Sequence, residues 1–476
     1  MSRCLDEELS VGGDYVVAIP WNTMLNNCLK KVSTGAIKIG DRVVVPIPKR
    51  YVAPLPTSEN VAKLCGRYDV QKLKIAPKER LIKVTEIVDN INSGLGKIVG
   101  LGFEIDTQPI EINAESVTIG GCYVRVNGKS VLQELTQWRP KIDGRLAVIK
   151  LDADNNNEVI NSMRAYFRSQ PIIESARDVR EAEDVLKSIK GQANYVVFLH
   201  CDNEAAMPRL WYMAAKLGMY PHDVNLCRNT RGLQYKVRNV ARELAVRSRQ
   251  VPHRIEPPET FRDYSIVGID ATMTSTRKGA VYTSVSMVIV KPGDGVYYEV
   301  MPPRIGYNDI EALRKALEKA KSKYGRLIAV INKASIAPFL DGDATAIVVG
   351  ATKTHGYSRI LYRDNEVSNS KWGKFVELQR RIIKGVEVRR FLAVGTYESH
   401  DGTNRTVLYN IAGLAEKLAR ELLGYLFNLA LFAPVGNPPS LPWPLHRADK
   451  MCKTIHRLLK AGVDSGDLTE EVLRRL

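Results

Sequence analysis

From about residue 145 the chain alternates strand-like and helix-like segments, and this alternation limits the fold more than any other feature. LAVIKL is followed by the helical ESARDVREAEDVLKSIKG, then YVVFLHC, then PRLWYMAAKLG, then a helix over RGLQYKVRNVARELAVRS. Short apolar runs that alternate with amphipathic helices bury both faces of a parallel sheet, so the pattern predicts a layered α/β domain of Rossmann-like form. The Pro-rich VPHRIEPPETFR, from Val251 to Arg262, reads as a linker.

A second α/β block follows. It opens on DYSIVGIDAT, with SVSMVIV and YYEVMP as meander partners, then the helix IEALRKALEKAKSKYG, the strands RLIAVIN and ATAIVVGATKT, and two or three C-terminal helices. Residues 1–144 read differently: YVVAIPW, DRVVVPIPK, RLIKVTEIV, GKIVGLGFEI and SVTIGGCYVRV are short strand-like pieces between turns. The expected organisation is therefore a β-rich domain over 1–144, a Rossmann-like domain over 145–260 and a mixed-strand α/β domain over 261–476. The longest apolar run, Leu422 to Pro434, is shorter than the roughly 18 residues a membrane span needs. The start MSRCLDEELSVGGD lacks a basic-then-apolar leader. A cytoplasmic protein with no membrane insertion is expected.

The seven cysteines are scattered, with no C-x-x-C pair, which argues against a disulfide framework or a zinc site. Sixty-nine Lys and Arg against 52 Asp and Glu give a net charge of +17, which favours a polyanionic partner, nucleic acid first. The charge is densest between Arg209 and Arg254, opposed in sequence only by Asp223 and Glu243. Lys236, Arg238 and Arg249 in this stretch are candidates for contacts to a nucleic-acid backbone. Tyr212 and Lys216 are one helical turn apart, so a phenol able to stack on a base emerges beside an ammonium able to grip its phosphate. A core aromatic with a solvated lysine is the bland alternative.

The third constellation is acidic. Asp270 ends an h-h-G-h-D strand at the carboxyl edge of a sheet, and Asp449 lies on the helix opened by Pro444 and Leu445. Two-metal phosphodiester hydrolysis needs three or four such ligands. The strand RLIAVIN ends instead on Asn332 and Lys333, while Asp341 and Asp343 fall in an ordinary Asp-Gly turn.

Taken in order, VGIDAT, VVGATKTHGYSR, LPWPLHRADKMCKTIHRL and the Tyr212–Lys216 pair with ARELAVRSRQVPH resemble the Argonautes, specifically the short prokaryotic forms that keep only the MID and PIWI domains. The resemblance covers roughly residues 145 to 476, and an archaeal source is the expectation. It implies a MID-like domain and an RNase H-like PIWI domain. Tyr212 would stack on the first guide base, Lys216 would hold the guide's 5′ phosphate, and Arg247 would supply a second cation. Asn225 stands nearest to the family's glutamine, and the carboxylate of Leu476 would reach the pocket through a Mg²⁺ ion. Asp270 and Asp449 match the first and last members of the catalytic set, Asn332 or Lys333 replaces the second Asp, and Glu299 is the only acid near the glutamate position.

The resemblance thus implies a nuclease-inactive protein that carries a short guide, RNA in preference to DNA, and recognises a complementary target, DNA in preference to RNA. Its output would be activation of a separately encoded, APAZ-like effector in defence against plasmids and viruses. Residues 1–144 do not resemble a PAZ domain; they would be N-lobe and linker β structure or a docking platform. Two rivals stand beside this reading. One is an active guided nuclease using Asp270, Asp449 and a further acid such as Glu299 or Asp343. The other is a non-specific basic scaffold, which would ignore guide length and the 5′ end.

Overall fold

The computed structural model describes residues 15–18, 37–39, 42–48, 76–98, 114–116, 138–151, 157–201, 205–227, 232–247, 257–276, 280–291, 295–305, 308–342, 345–355, 357, 361–364, 366–395, 405–431 and 439–476. The chain divides into two compact units, Met1–Ile75 and Ala76–Leu476. In the first, β1 (Tyr15–Ala18), β2 (Ile37–Ile39) and β3 (Arg42–Pro48) form an antiparallel sheet in the order β1-β3-β2.

The second unit opens with helix α1 (Pro77–Ile98), which corrects the strand expected over RLIKVTEIV. Pro77 sits at the first helical position, where its fixed φ favours a helix start, and Lys83 pairs with Glu79 one turn back at 3.1 Å. Local helix signals outweigh the β-branched residues here, and Ile82, Val84 and Ile87 are left exposed. Strand β4 (Glu115–Ser116) pairs with the edge of the large sheet described below.

The alternation that begins near residue 145 folds as expected. Strands β5 (Leu146–Leu151), β6 (Ile172–Ala176), β7 (Tyr195–His200) and β8 (Tyr220–Asn225) form a wholly parallel sheet in the order β6-β5-β7-β8. Helices α2 (Asn157–Arg164), α3 (Val179–Ser188), α4 (Met207–Lys216) and α5 (Leu233–Arg247) cover its two faces. Because neighbouring side chains on a strand point to opposite faces, Leu146 and Val148 pack with α2 and α5, while Ala147 and Ile149 pack with α3 and α4. Asp178 caps α3 by accepting from the backbone N–H of Glu181 at 2.9 Å.

Residues 265–412, with β4, build a nine-stranded mixed sheet. In chain order its strands are β9 (Ser265–Ser275), β10 (Val281–Lys291), β11 (Gly295–Ile305), β12 (Leu327–Ile331) and β13 (Ala346–Thr352). A separate hairpin of β14 (Leu361–Asp364) and β15 (Glu366–Asn369) precedes β16 (Lys374–Ile383), β17 (Val386–Val394) and β18 (Thr406–Ala412). The order is β11-β10-β9-β12-β13-β18-β17-β16-β4, with β12 parallel to both β9 and β13 and the remaining pairs antiparallel.

Helix α6 (Asp309–Tyr324) packs on the face carrying Val267, Ile269 and Ala329. Helices α7 (Glu416–Leu431), α8 (Trp443–Lys460) and α9 (Glu470–Arg475) share the opposite core with Ile266, Ile328 and Val330. That core also takes in Tyr212, Ala215 and Val246, so the parallel-sheet and mixed-sheet halves are joined by apolar packing. Gly268, the glycine of h-h-G-h-D, has a local reason: a Cβ there would lie 2.2 Å from the backbone nitrogen of Leu445. Only a bare Cα lets the start of α8 come this close to β9, and that approach puts Asp449 beside Asp270.

Candidate nucleic-acid interface

Asp270 lies on β9 on the face that meets α8. Its strand partner is Ser286, whose hydroxyl takes a hydrogen bond from Cys452 of α8 at 3.4 Å. Asn332 follows β12, its backbone N–H donates to the carbonyl of Ile269 at 3.2 Å, and its side chain hydrogen-bonds to Asp270. Asp449 comes from α8. Burial, and then the neighbouring Asp449 carboxylate, push the Asp270 carboxyl up to about 7. The three remnant positions expected from the sequence are therefore brought to one sheet edge.

Two lysines attend these carboxylates. Lys453, one turn along α8, donates to Asp449 Oδ2 at 2.7 Å, and Lys353, just beyond β13, brings its ammonium to 3.9 Å from the same oxygen. His446 lies near both Lys353 and Lys450. Burial, followed by the charges of Lys450 and Lys353, pushes its imidazole down to about 3, so it is neutral.

Glu299 does not join this group. Its strand partner is Met287, which packs with Ile269 against α6, so Glu299 faces away from Asp270. There it binds Lys319 at 3.1 Å and also Lys323 and Tyr324, all on α6. Burial alone would raise its carboxyl, but these three donors outweigh it and hold it at about 2. Sheet alternation, which puts successive side chains on opposite faces, removes Glu299 as a ligand. Lys333 pairs with Asp309 and Asp341 pairs with Lys321, which accounts for both as structural ion pairs. Asp343 lies outside the described residues.

The Tyr212–Lys216 pair forms on α4 as the spacing requires. The ammonium of Lys216 donates to the Tyr212 hydroxyl at 2.9 Å and pairs with Asp467 at 3.4 Å. Tyr212 first, and Asp467 after it, raise the Lys216 pKa, so the ammonium stays charged. Tyr212 as a whole is only 7% exposed and belongs to the core that also holds Val246 and Leu476, which corrects the expectation that its ring stacks on a guide base.

Arg247 is engaged inside the protein. It donates to the Pro221 carbonyl at 2.8 Å and to Glu243 at 3.2 Å, with its side chain 11% exposed. Glu243 also receives Arg447 at 2.7 Å, His222 at 3.3 Å and Lys450 at 3.8 Å. Burial acts to raise the Glu243 carboxyl, but the His222 hydrogen bond and the charges of Lys450, Arg247 and Arg447 prevail and hold it well below the ordinary range. The sequence marks Glu243 only as one of two acids in the basic stretch, and nothing in it singles out His222, Arg447 or Lys450. Glu243-x-x-x-Arg247 is the one spacing that hints at the cluster.

Asn225 shapes the turn after β8. Its amide donates to the Cys201 carbonyl at 2.9 Å, its oxygen accepts from the Cys227 N–H at 3.1 Å, and its own carbonyl accepts from Lys236 at 3.1 Å. Cys201 and Cys227 form a disulfide, which corrects the expectation that no cysteines pair. Scattered spacing conceals a pairing that arises because β7 and β8 are adjacent parallel strands whose carboxyl ends coincide. Arg238 stacks over the exposed Tyr235 ring, 4.7 Å from its centroid, and Arg249 lies outside the described residues.

The basic stretch is thus less free than its sequence suggests. Arg242 is buried and donates twice to the Trp138 carbonyl, at 2.8 and 3.0 Å, and Arg209 pairs with Glu183 at 2.6 Å. Burial lowers the Arg242 pKa to about 10.

No family model matches the chain, and no curated protein matches it. Solved structures do. A Clostridium butyricum Argonaute bound to a guide DNA and a 19-mer target DNA matches with a TM-score of 0.61 at 14% identity, over 89% of this chain and 64% of that one. The A. aeolicus Argonaute matches with a TM-score of 0.59 at 15% identity, over 87% of this chain and 62% of that one. A structure of Aa-Ago with externally bound siRNA matches with a TM-score of 0.53 at 14% identity, over 95% of this chain and 73% of that one. This chain therefore spans a little under two thirds of the first two proteins. With its parallel α/β layer joined to a large mixed sheet, the protein has the fold of the MID and PIWI region of prokaryotic Argonautes.

Proposed function

We propose that the protein holds a short guide nucleic acid by its 5′ phosphate and uses it to recognise a complementary strand without cutting it. One observation carries the reading. Ion pairs rich in lysine and arginine link the parallel-sheet half to the mixed-sheet half at two points: Lys216 to Asp467, and Glu243 with Arg247 to Arg447 and Lys450. A cation-rich seam between two lobes suits a polyanion whose backbone is gripped without regard to sequence, with base pairing supplying the specificity. The fold supports it too, since the Clostridium butyricum protein of this fold is bound to guide and target DNA.

Lys216 is the primary phosphate contact, and Lys236 and Arg238 extend the basic surface along the guide. Arg247 acts with Arg447 and Lys450 as part of the Glu243 cluster. Tyr212 supports Lys216 through its hydroxyl, while its ring is packed in the core and is not free to stack on the first base. Among the described residues no three His, Cys, Asp or Glu side chains converge. A Mg²⁺ ion at the guide's 5′ phosphate, near Leu476, would thus draw most of its ligands from the phosphate and water.

The same scarcity supports a non-cutting role, because Asp270 and Asp449 are two carboxylates where two-metal hydrolysis needs three or four ligands. The output is then activation of a separate effector by the paired complex, in defence against foreign DNA in an archaeal cytoplasm, with an RNA guide and a DNA target. Extraction of nucleic acid from the purified protein, followed by end-labelling with and without phosphatase, tests the reading. Short uniform strands that take label only after phosphatase are expected, and RNase or DNase sensitivity identifies the guide. Heterogeneous strands without end preference would leave a basic scaffold, and cleavage of a matched target lost on Asp270→Ala would establish a nuclease.

A further inference from the structure

We infer that Lys353 is a built-in counter-ion of the Asp270–Asp449 edge, standing where a divalent cation would otherwise be drawn and leaving this edge without a metal site. The inference deepens the non-cutting reading of the edge, and it does not depend on guide binding.

Asp270 and Asp449 are 6% and 7% exposed, close enough that each carboxylate acts on the other, and Asn332 completes the group with a neutral amide. Two carboxylates brought together out of water need a positive charge beside them or a proton on one of them, and the raised Asp270 carboxyl shows that the lysines here meet the need only in part. In a hydrolytic site of this kind metal ions provide the charge. Here the chain provides it. Lys353 lies 3.9 Å from Asp449, Lys453 lies 2.7 Å from it, and both act electrostatically on Asp270 as well.

The two lysines are not equivalent. The side chain of Lys453 is 62% exposed and stands on the surface of α8, free to turn into solvent. That of Lys353 is 32% exposed and starts one residue after β13, a central strand of the sheet, so it is more enclosed than Lys453. A metal ion could displace Lys453 by rotation of its side chain. An ion that then bound Asp449 Oδ2 would face the Lys353 ammonium, 3.9 Å from the same oxygen, and like charges at this range repel. Lys353 is therefore the residue that decides whether the edge takes a cation.

The test is a Mn²⁺ titration, followed by electron paramagnetic resonance, of the full chain freed of nucleic acid. Wild type is expected to show no Mn²⁺ binding that Asp270→Asn removes. Lys353→Met, which keeps the side chain's bulk without its charge, and Lys353→Ala should each gain one site that Asp270→Asn removes, whereas Lys353→Arg should gain none. Thermal melting of each variant checks that it is folded. Asp270-dependent Mn²⁺ binding by wild type would overturn the inference, and this arm needs no Lys353 variant to fold. Folded Lys353→Met and Lys353→Ala proteins that gain no site would overturn it equally. Because no nucleic acid is present, failure here is distinguishable from failure of the guide-binding reading.

Discussion

Glu243 on α5 accepts a hydrogen-bonded ion pair from Arg447 on α8 at 2.7 Å, joining residues 204 positions apart in the chain. The same carboxylate holds Arg247 and Lys450, so one anion keeps three cations in a small volume at the junction of the two halves.

Removing that anion should be costly. Glu243→Gln leaves Arg247, Arg447 and Lys450 facing one another, and a loss of about 3 kcal/mol of folding stability is expected from breaking a largely buried ion cluster. Chemical denaturation measures it. The pH dependence has a definite sign. The folded-state pKa of Glu243 lies well below its ordinary 4.5, so its stabilisation is complete above that value and is lost as pH falls towards the folded value. Wild type should lose stability on acidification below pH 4.5 more steeply than Glu243→Gln.

Lys216 should discriminate 5′ ends. Its ammonium is held beside Tyr212 and half exposed, so Lys216→Ala is expected to lower affinity for a 5′-phosphorylated guide about tenfold, or 1.4 kcal/mol. Affinity for a 5′-hydroxyl guide should change little. Fluorescence anisotropy with the two guides checks this, and equal losses for both would contradict the assignment.

Asp270 carries the opposite pH signature. Its pKa is raised from 3.8 to about 7, so its contribution is fully favourable below 3.8 and is lost as pH rises through 7. Asp270→Asn, which cannot ionise, should gain stability relative to wild type between pH 4 and pH 8, on the order of 4 kcal/mol at the upper end. Melting curves across that range measure the difference.

The Cys201–Cys227 disulfide closes a loop with a sequence separation of 26 between β7 and the turn after β8. Its reduction should lower stability by about 3 kcal/mol, chiefly by freeing the unfolded chain. Dithiothreitol should therefore lower the melting temperature of wild type and leave Cys227→Ser unchanged. An equal response in both would show that the pair is reduced at the outset.

The layering follows from local sequence pattern. Alternating apolar runs and amphipathic helices after residue 145 dictate a parallel sheet covered on both faces, and the meander after Ser265 dictates a mixed sheet, because periodicity is a local property of side chains. Gly268, Asp270 and Asn332 were legible for the same reason, each lying at a position that strand pattern alone defines. Helix α1 is less legible, because its β-branched residues look like strand until Pro77 and the Glu79–Lys83 pair are weighed against them.

Which charges meet is set by long-range packing. Glu243 finds Arg447, Asp449 finds Lys353, Cys201 finds Cys227, and Glu299 turns to α6 instead of Asp270. These outcomes depend on strand order and on the close approach of α8 to β9. Coulomb energy follows distance in space, and sequence spacing reports that distance only within one turn of a helix or one pair of strands.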